Sequence, residues 1–250
     1  IEQDEKIETV LTVRDNIDEG YLFMATKHGL VKKTPLSEFK NLRKSGLIAI
    51  NLREGDELLK VKVTRGDADI IIVSQEGNAI KFNEQDVRPM GRTASGVKSM
   101  NLRENDIAVC MDIAVDEEDL LVISENGFGK RTPLTEYKRQ NRGGVGLITY
   151  KISEKTGKVV GATVCKPEDE LMLINTSGIA IRINVSDISV TSRSAMGVTL
   201  MRTTEEEKVV AVAKIASNGE EESDEQLTLE ACADNEVIEE SNDTSLDRLV

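Results

Sequence analysis

The chain has 250 residues, of which 3% are aromatic, with no Trp, three Cys, one His and a formal charge of −13. That length can bury a substantial core; no stretch is apolar for long enough to span a membrane, and no charged start followed by an apolar run marks a secretory signal. Cys110, Cys165 and Cys232 stand far apart without a CxxC pair, which argues against a zinc site or a disulfide framework and reads as free thiols in a reducing compartment.

Along the chain, Lys6 to Val13 reads as a strand that precedes any complete unit, either closing a ring or ending an upstream unit. With Ile1 rather than Met in first place, a piece of a longer polypeptide is expected. From Tyr21 an apolar run leads through a turn to Gly29, and the same pattern returns at Ile70 to Gly77, Leu120 to Gly127 and Leu171 to Gly178. Runs such as Ile70-Ile71-Ile72-Val73 and Leu120-Leu121-Val122-Ile123 are short, aliphatic and bounded by turn residues, as strands buried on both faces are. The glycine after each run supplies the positive φ of a short hairpin loop. A second glycine follows in every unit, at Gly46, Gly96, Gly146 and Gly197, with spacings of 50, 50 and 51 residues. A third strand is expected to begin after it, as in Gly46-Leu47-Ile48-Ala49-Ile50. A fourth is expected at Glu57 to Val63, Asp106 to Ala114, Lys158 to Cys165 and Lys208 to Ile215. Four strands in each repeat of about fifty residues predict an all-β, propeller-like array of four-stranded blades, with a β-solenoid as the alternative. From Ser217 to Val250 twelve acids face the single base Arg248, and a disordered acidic tail is expected there.

Charge is ordered within the repeat. Four residues after the first glycine stands a base (Lys33, Lys81, Arg131, Arg182), nine residues after it an acid (Glu38, Asp86, Glu136, Asp187), and ten after it an apolar or aromatic residue (Phe39, Val87, Tyr137, Ile188). Between the two glycines lie Lys32, Lys33, Lys40, Arg43 and Lys44 in the first unit, and Lys81, Arg88 and Arg92 in the second. The third holds Lys130, Arg131, Lys138, Arg139 and Arg142, and the fourth Arg182 and Arg193. These fifteen bases face five acids, so the segments carry +10 while residues 1–216 as a whole carry only −2. Equivalent positions of a propeller fall at equivalent places on its rim, which predicts a basic band along one edge. With few aromatics to stack on single strands, duplex contacted through its phosphates fits such a band best. A scaffold for an acidic or mixed-charge protein is the rival class. An independent enzyme is the least supported, since His28 sits in a hairpin turn and neither a nucleophile triad nor a Walker loop is present.

The most distinctive segment is Gln140-Asn141-Arg142-Gly143-Gly144-Val145-Gly146, led in by Tyr137-Lys138-Arg139. Its paired glycines let the backbone approach a phosphate that the arginines neutralise. It resembles the box of the DNA gyrase A C-terminal domain, which reads Gln, base, Arg, Gly, Gly, base, Gly; two of the basic positions are replaced, by Asn141 and Val145. Phe23-Met24-Ala25-Thr26, Val31-Lys32-Lys33-Thr34, Gly127-Phe128-Gly129-Lys130-Arg131-Thr132 and Gly178-Ile179-Ala180-Ile181-Arg182 are similar to family phrases, and the resemblance runs from Ile1 to about Ile215. It implies a six-bladed β-pinwheel with strands exchanged between blades. Residues 1–216 would supply the last four blades, without the blade that carries the principal box. It implies wrapping of duplex DNA around the basic rim, with Gln140, Gly143 and Gly144 joining the bases as contacts, in support of ATP-dependent negative supercoiling. The implied protein partners are the gyrase B subunit, with the remainder of the gyrase A subunit; the implied place is the cytoplasm, away from membranes. No cofactor is implied for this piece, since ATP and Mg act elsewhere in the holoenzyme. Tyr21, Tyr137 and Tyr150 read as packing residues rather than nucleophiles. The C-terminal domain of the topoisomerase IV A subunit, with weaker or absent boxes, is the nearest rival within the superfamily.

Overall fold

Each sheet grows from a hairpin that its glycine makes possible. The computed structural model describes residues 10, 19–40, 46–204 and 206–215. In the first repeat β1 (Tyr21–Thr26) turns into β2 (Leu30–Pro35), and β3 (Leu58–Thr64) pairs along the other side of β1. The second repeat does the same with β4 (Asp69–Ser74), β5 (Asn78–Asn83) and, after the two-residue β6 (Val97–Lys98), β7 (Ala108–Ile113). The third uses β8 (Asp119–Ser124), β9 (Phe128–Pro133), β10 (Leu147–Ile148) and β11 (Val159–Cys165); the fourth uses β12 (Glu170–Asn175), β13 (Ala180–Asn184), β14 (Val198–Thr199) and β15 (Val209–Ile215).

The fold class is the expected one, but the third strand of the second, third and fourth repeats is two residues long and does not stay in its own sheet. β6 joins β2, β10 joins β5 and β14 joins β9, so each of the first three sheets is completed by the repeat that follows it. The four sheets therefore run β3-β1-β2-β6, β7-β4-β5-β10, β11-β8-β9-β14 and β15-β12-β13. Two expectations need correction for this one reason. Residues 46–50 form no strand among the described residues, and the fourth sheet has three strands rather than four. The predicted strand at Lys6 to Val13, apart from Val10, and the acidic tail from Ser217 to Val250 lie outside the described residues.

β4 and β8 are apolar on both faces because the second and third sheets are each packed between two others. In β4, Ile70 and Ile72 join Phe23, Val31, Phe82 and Met111 between the first and second sheets, while Ile71 and Val73 join Leu120, Val122 and Tyr137 between the second and third. Leu121, Ile123, Leu171, Leu173 and Ile188 fill the next interface. Full burial of one such side chain stabilises by about 1.5–3 kcal/mol, so the alternation along a single strand ties three sheets together. Tyr137 and Tyr150 belong to this core. The Tyr137 hydroxyl lies 2.5 Å from Thr149 Oγ1, and burial pushes its pKa up to about 12. Cys110 and Cys165 are buried free thiols, both pushed up by burial, Cys165 to about 12. No helix among the described residues is long and apolar enough to cross a membrane. β3, β7, β11 and β15 pack side by side in succession, so the exchanged strands and the loops that lead into them lie at the opposite, outer edge of the sheets.

Candidate nucleic-acid interface

In the first three repeats the base four residues after the first glycine does not reach the rim. It is buried against the single 3-10 turn of the following repeat, where a carbonyl that already accepts one backbone amide can accept the base as well. Lys33 donates to the Glu84 carbonyl at 2.9 Å, with the Glu84 carboxylate 3.8 Å away. Lys81 donates to the Leu134 carbonyl at 3.2 Å and to Asp116 at 2.7 Å. Arg131 donates from Nε to the Ile188 carbonyl at 2.9 Å and from Nη1 to Asp119 at 3.0 Å. One residue earlier, Lys32 donates to the carbonyls of Ala49, at 2.5 Å, and Arg92; Lys130 donates to those of Ser192 and Arg193, at 2.6 and 2.5 Å. Burial lowers both of these amines to about 8, helped by the positive charge of Arg92 beside Lys32; beside Lys130, Glu136 opposes the shift and Arg193 adds to it. Lys32, Lys33, Lys81, Lys130 and Arg131 therefore leave the predicted surface band, because their charge is spent on stapling one sheet to the next. Arg182, in the last sheet, keeps its exposure and pairs with Glu170.

The exposed bases sit further along. Lys40, Arg88 and Lys138 share one position, eleven residues after the first glycine, and all three are exposed. Next to Lys138, Arg139 is exposed but held by Asp69, with Nη2 at 2.8 Å. Arg92, Arg142 and Arg193 occupy a third repeated position, in the outer loops, and are half-buried. Arg142 donates from Nε to the Asp86 carbonyl at 2.9 Å and from Nη1 to the Lys98 carbonyl at 3.0 Å. Arg193 reaches the Ile148 carbonyl at 3.4 Å and lies 3.9 Å from Glu136, as Arg92 lies 4.0 Å from Glu38. The acid nine residues after the first glycine thus stands beside the loop arginine of the following repeat, through its carboxylate at Glu38 and Glu136 and through its carbonyl at Asp86. Eight of the fifteen bases reach the surface, against the four acids Glu38, Asp86, Glu136 and Asp187; Arg43 and Lys44 lie outside the described residues.

The Gln140–Gly146 loop is clamped from both sides. The Gln140 amide donates to the Lys81 carbonyl at 2.8 Å, the Gly143 amide to the Ser99 carbonyl at 2.6 Å, and the Gly144 carbonyl accepts from the Asn101 amide at 2.8 Å. Gly143 has φ +84° and open space beside it, whereas Gly144 has an ordinary φ and its added Cβ would stand 3.6 Å from Ile80. Gly146 is different: a Cβ there would meet the Ala79 carbonyl at 2.4 Å, so the exchanged strand can approach only through glycine. Beside the loop, an open cleft of about 760 Å³ places Asp67 and Asp86 opposite Arg139. With Arg139 already paired to Asp69, the charged lining of that cleft is predominantly acidic. No group of three or more His, Cys, Asp or Glu suited to a metal ion occurs among the described residues.

The family model described as the DNA gyrase C-terminal domain, beta-propeller, matches residues 20–65, 68–109, 118–166 and 169–216, one match for each sheet. The DNA gyrase A subunit of Clostridium acetobutylicum is 64% identical over 222 residues, covering 89% of this chain and 27% of the relative. That of Staphylococcus aureus (strain MRSA252) is 44% identical over 233 residues, covering 92% and 26%. The chain thus spans about a quarter of the length of these curated relatives. Among solved structures, the C-terminal domain of DNA topoisomerase IV aligns with a TM-score of 0.81 at 30% identity, covering 86% of this chain and 67% of that one. A DNA gyrase A C-terminal domain aligns with a TM-score of 0.72 at 28% identity, covering 86% and 76%.

Proposed function

This chain belongs to the DNA gyrase C-terminal domain family, and on that premise we propose that it binds duplex DNA without sequence preference along its outer edge. Wrapping of that duplex, in a right-handed sense, would then serve ATP-dependent negative supercoiling by a gyrase holoenzyme made with the B subunit plus the rest of the A subunit. The observation that carries this reading is the surface row of Lys40, Arg88 and Lys138, each one repeat apart, flanked by Arg92, Arg142 and Arg193 at the outer edge. A polyanion that follows the edge meets an equivalent cation at each of the first three sheets, whereas a globular protein partner has no such period. Gln140, Gly143 and Gly144 border that path and are proposed contacts.

The reading is tested by titrating a mixed-sequence duplex across salt. Log K should fall linearly with log salt, with a slope of about −7 if the eight described surface bases all neutralise phosphates. Affinity independent of salt would favour the protein-scaffold reading. The structural likeness to topoisomerase IV, together with the two replaced bases of the box, favours a second reading as the corresponding domain of that enzyme; both share the duplex-binding edge. The identity of 64% with a gyrase A subunit supports the first.

A further inference from the structure

The outer loop of the third repeat runs the height of the edge, from Arg139 beside Lys81 to Ile148 beside Asn78 at the hairpin end of the second sheet. On the way it is laid along the chain that follows the exchanged strand of the preceding repeat. Arg142 donates to the Lys98 carbonyl at 3.0 Å, the Gly143 amide to the Ser99 carbonyl at 2.6 Å, and the Asn101 amide to the Gly144 carbonyl at 2.8 Å. The neighbouring junctions repeat parts of this contact, with the Asn51 amide 3.4 Å from the Ala94 carbonyl and an Arg193 nitrogen 3.4 Å from the Ile148 carbonyl. The loop therefore has two flanks. Lys138, of the surface row, stands where the loop begins; the other flank is the segment that ends five residues after the second glycine, at Asn101 in the second repeat and Lys151 in the third.

That second flank also carries cations. Lys151 is exposed. In the second repeat the equivalent residue is Asn101, and Lys98, exposed on β6, brings its ammonium to the same place by donating from Nζ to Asn101 Oδ1 at 3.2 Å. Arg202 holds this position in the sequence of the fourth repeat. Neither Lys98 nor Lys151 has a carboxylate partner among the described residues. In this they differ from Arg139, which is held by Asp69, and from Arg142 and Arg193, which donate to carbonyls. Both lysines follow the second glycine and so stand outside the stretch between the two glycines that holds the first row.

Resting on the proposed duplex binding along the outer edge, we infer that Lys98 and Lys151 form a second row of phosphate contacts, so that the two strands of one duplex lie on the two flanks and the outer loop faces the groove between them. An exposed lysine ammonium is a compact point charge that neutralises a phosphate without fixed geometry and releases its counterion. Cations on one flank alone would hold one strand and leave the duplex able to roll about its own axis. Cations on both flanks fix that roll at each loop. Gly143 and Gly144 stand between the rows, where the absence of side chains lets the duplex come close to the backbone. Two further phosphates steepen the salt slope by about 1.8 beyond what the eight bases of the first set account for.

The test uses the full 250-residue chain carrying Lys98→Gln together with Lys151→Gln. With a circular dichroism melt that matches the parent, the double variant should bind a mixed-sequence duplex about 60-fold more weakly at about 0.1 M salt, with a salt slope shallower by about 1.8. Lys60→Gln, on the inner strand β3, should change neither quantity. A duplex with uncharged methylphosphonate linkages in one strand separates the flanks. It can lay its charged strand on the first row, so parent and double variant should bind it alike. A double variant that keeps the parent's slope on the ordinary duplex overturns the inference, as does one that weakens equally on both duplexes, since both rows would then touch one strand; in either case duplex binding itself stands. The same loss per charge in Lys60→Gln overturns it as well. A parent whose duplex affinity does not depend on salt removes the reading beneath the inference, and the inference with it.

Discussion

Replacing Lys40, Arg88 and Lys138 together with Gln removes the one repeated base that is exposed in three successive sheets. Each phosphate no longer neutralised lowers the salt slope of duplex binding by about 0.9, so the slope of the triple variant should be shallower by about 2.7. The same relation makes each neutralised phosphate worth roughly eightfold in affinity at about 0.1 M salt, and three of them about 500-fold. Because these side chains are exposed, the melting temperature should hardly move. Arg131→Met is the contrasting control. It strips the same charge from a buried site and leaves the Asp119 carboxylate and the Ile188 carbonyl without the guanidinium. Breaking such a buried pair costs about 3–5 kcal/mol, yet the folded fraction should keep the parent's salt slope. Fluorescence anisotropy of a labelled duplex across salt, with circular dichroism melts of the same preparations, reads both quantities. An unaltered slope in the triple variant, or a reduced one in folded Arg131→Met, would refute the division between surface row and buried staple.

Gly144→Ala should fold normally, since its Cβ meets nothing closer than 3.6 Å; a weaker duplex affinity at an unchanged melting temperature marks a phosphate approach there, and an unchanged affinity removes it. Gly143→Ala should cost about 1–2 kcal/mol from its positive φ alone, read in the same melts. Lys32 and Lys130 should titrate near pH 8 in carbon-detected NMR of the lysine side chains, below the usual 10.5. Between those pH values the unfolded chain binds more protons, so their contribution to stability rises with pH in that window; a titration at the ordinary lysine pH would contradict their burial. Deleting Ser217 to Val250 removes twelve acids and one base and should tighten duplex binding most at low salt, where screening is weakest; equal affinity at low ionic strength leaves the tail no part in binding.

The hairpins are readable because Ile70 to Val73 and Leu120 to Ile123 are apolar at every position and end in glycine, a pattern that only a strand between two sheets requires. The exchange of the third strand is not readable from the residues. Leu147 and Ile148 would suit an edge of their own sheet as well as that of the preceding one, and sequence spacing does not distinguish them. The buried lysines mislead for a related reason, since a base beside a strand is ordinarily solvated. A signal is nevertheless present: the position of Lys32 and Lys130 is held by Ile80 and Ile181 in the other repeats, an exchange that points to an enclosed site. The recurring acid at Glu38, Asp86 and Glu136 is visible as a regularity, but its partner lies in the next repeat, more than fifty residues on, where only the fold brings Arg92, Arg142 and Arg193 beside it.

The central claim, that duplex follows the outer edge of the sheets and is wrapped there, is tested most directly by DNA topology. A closed circular plasmid is relaxed by a type I topoisomerase in the presence of increasing amounts of the chain, and the protein is then removed. Right-handed wrapping stores positive writhe, so the account predicts topoisomers displaced toward positive supercoiling in proportion to the protein bound, with the displacement lost in the Lys40, Arg88 and Lys138 triple variant. A distribution centred where the protein-free control lies, at concentrations that saturate duplex binding, would contradict it.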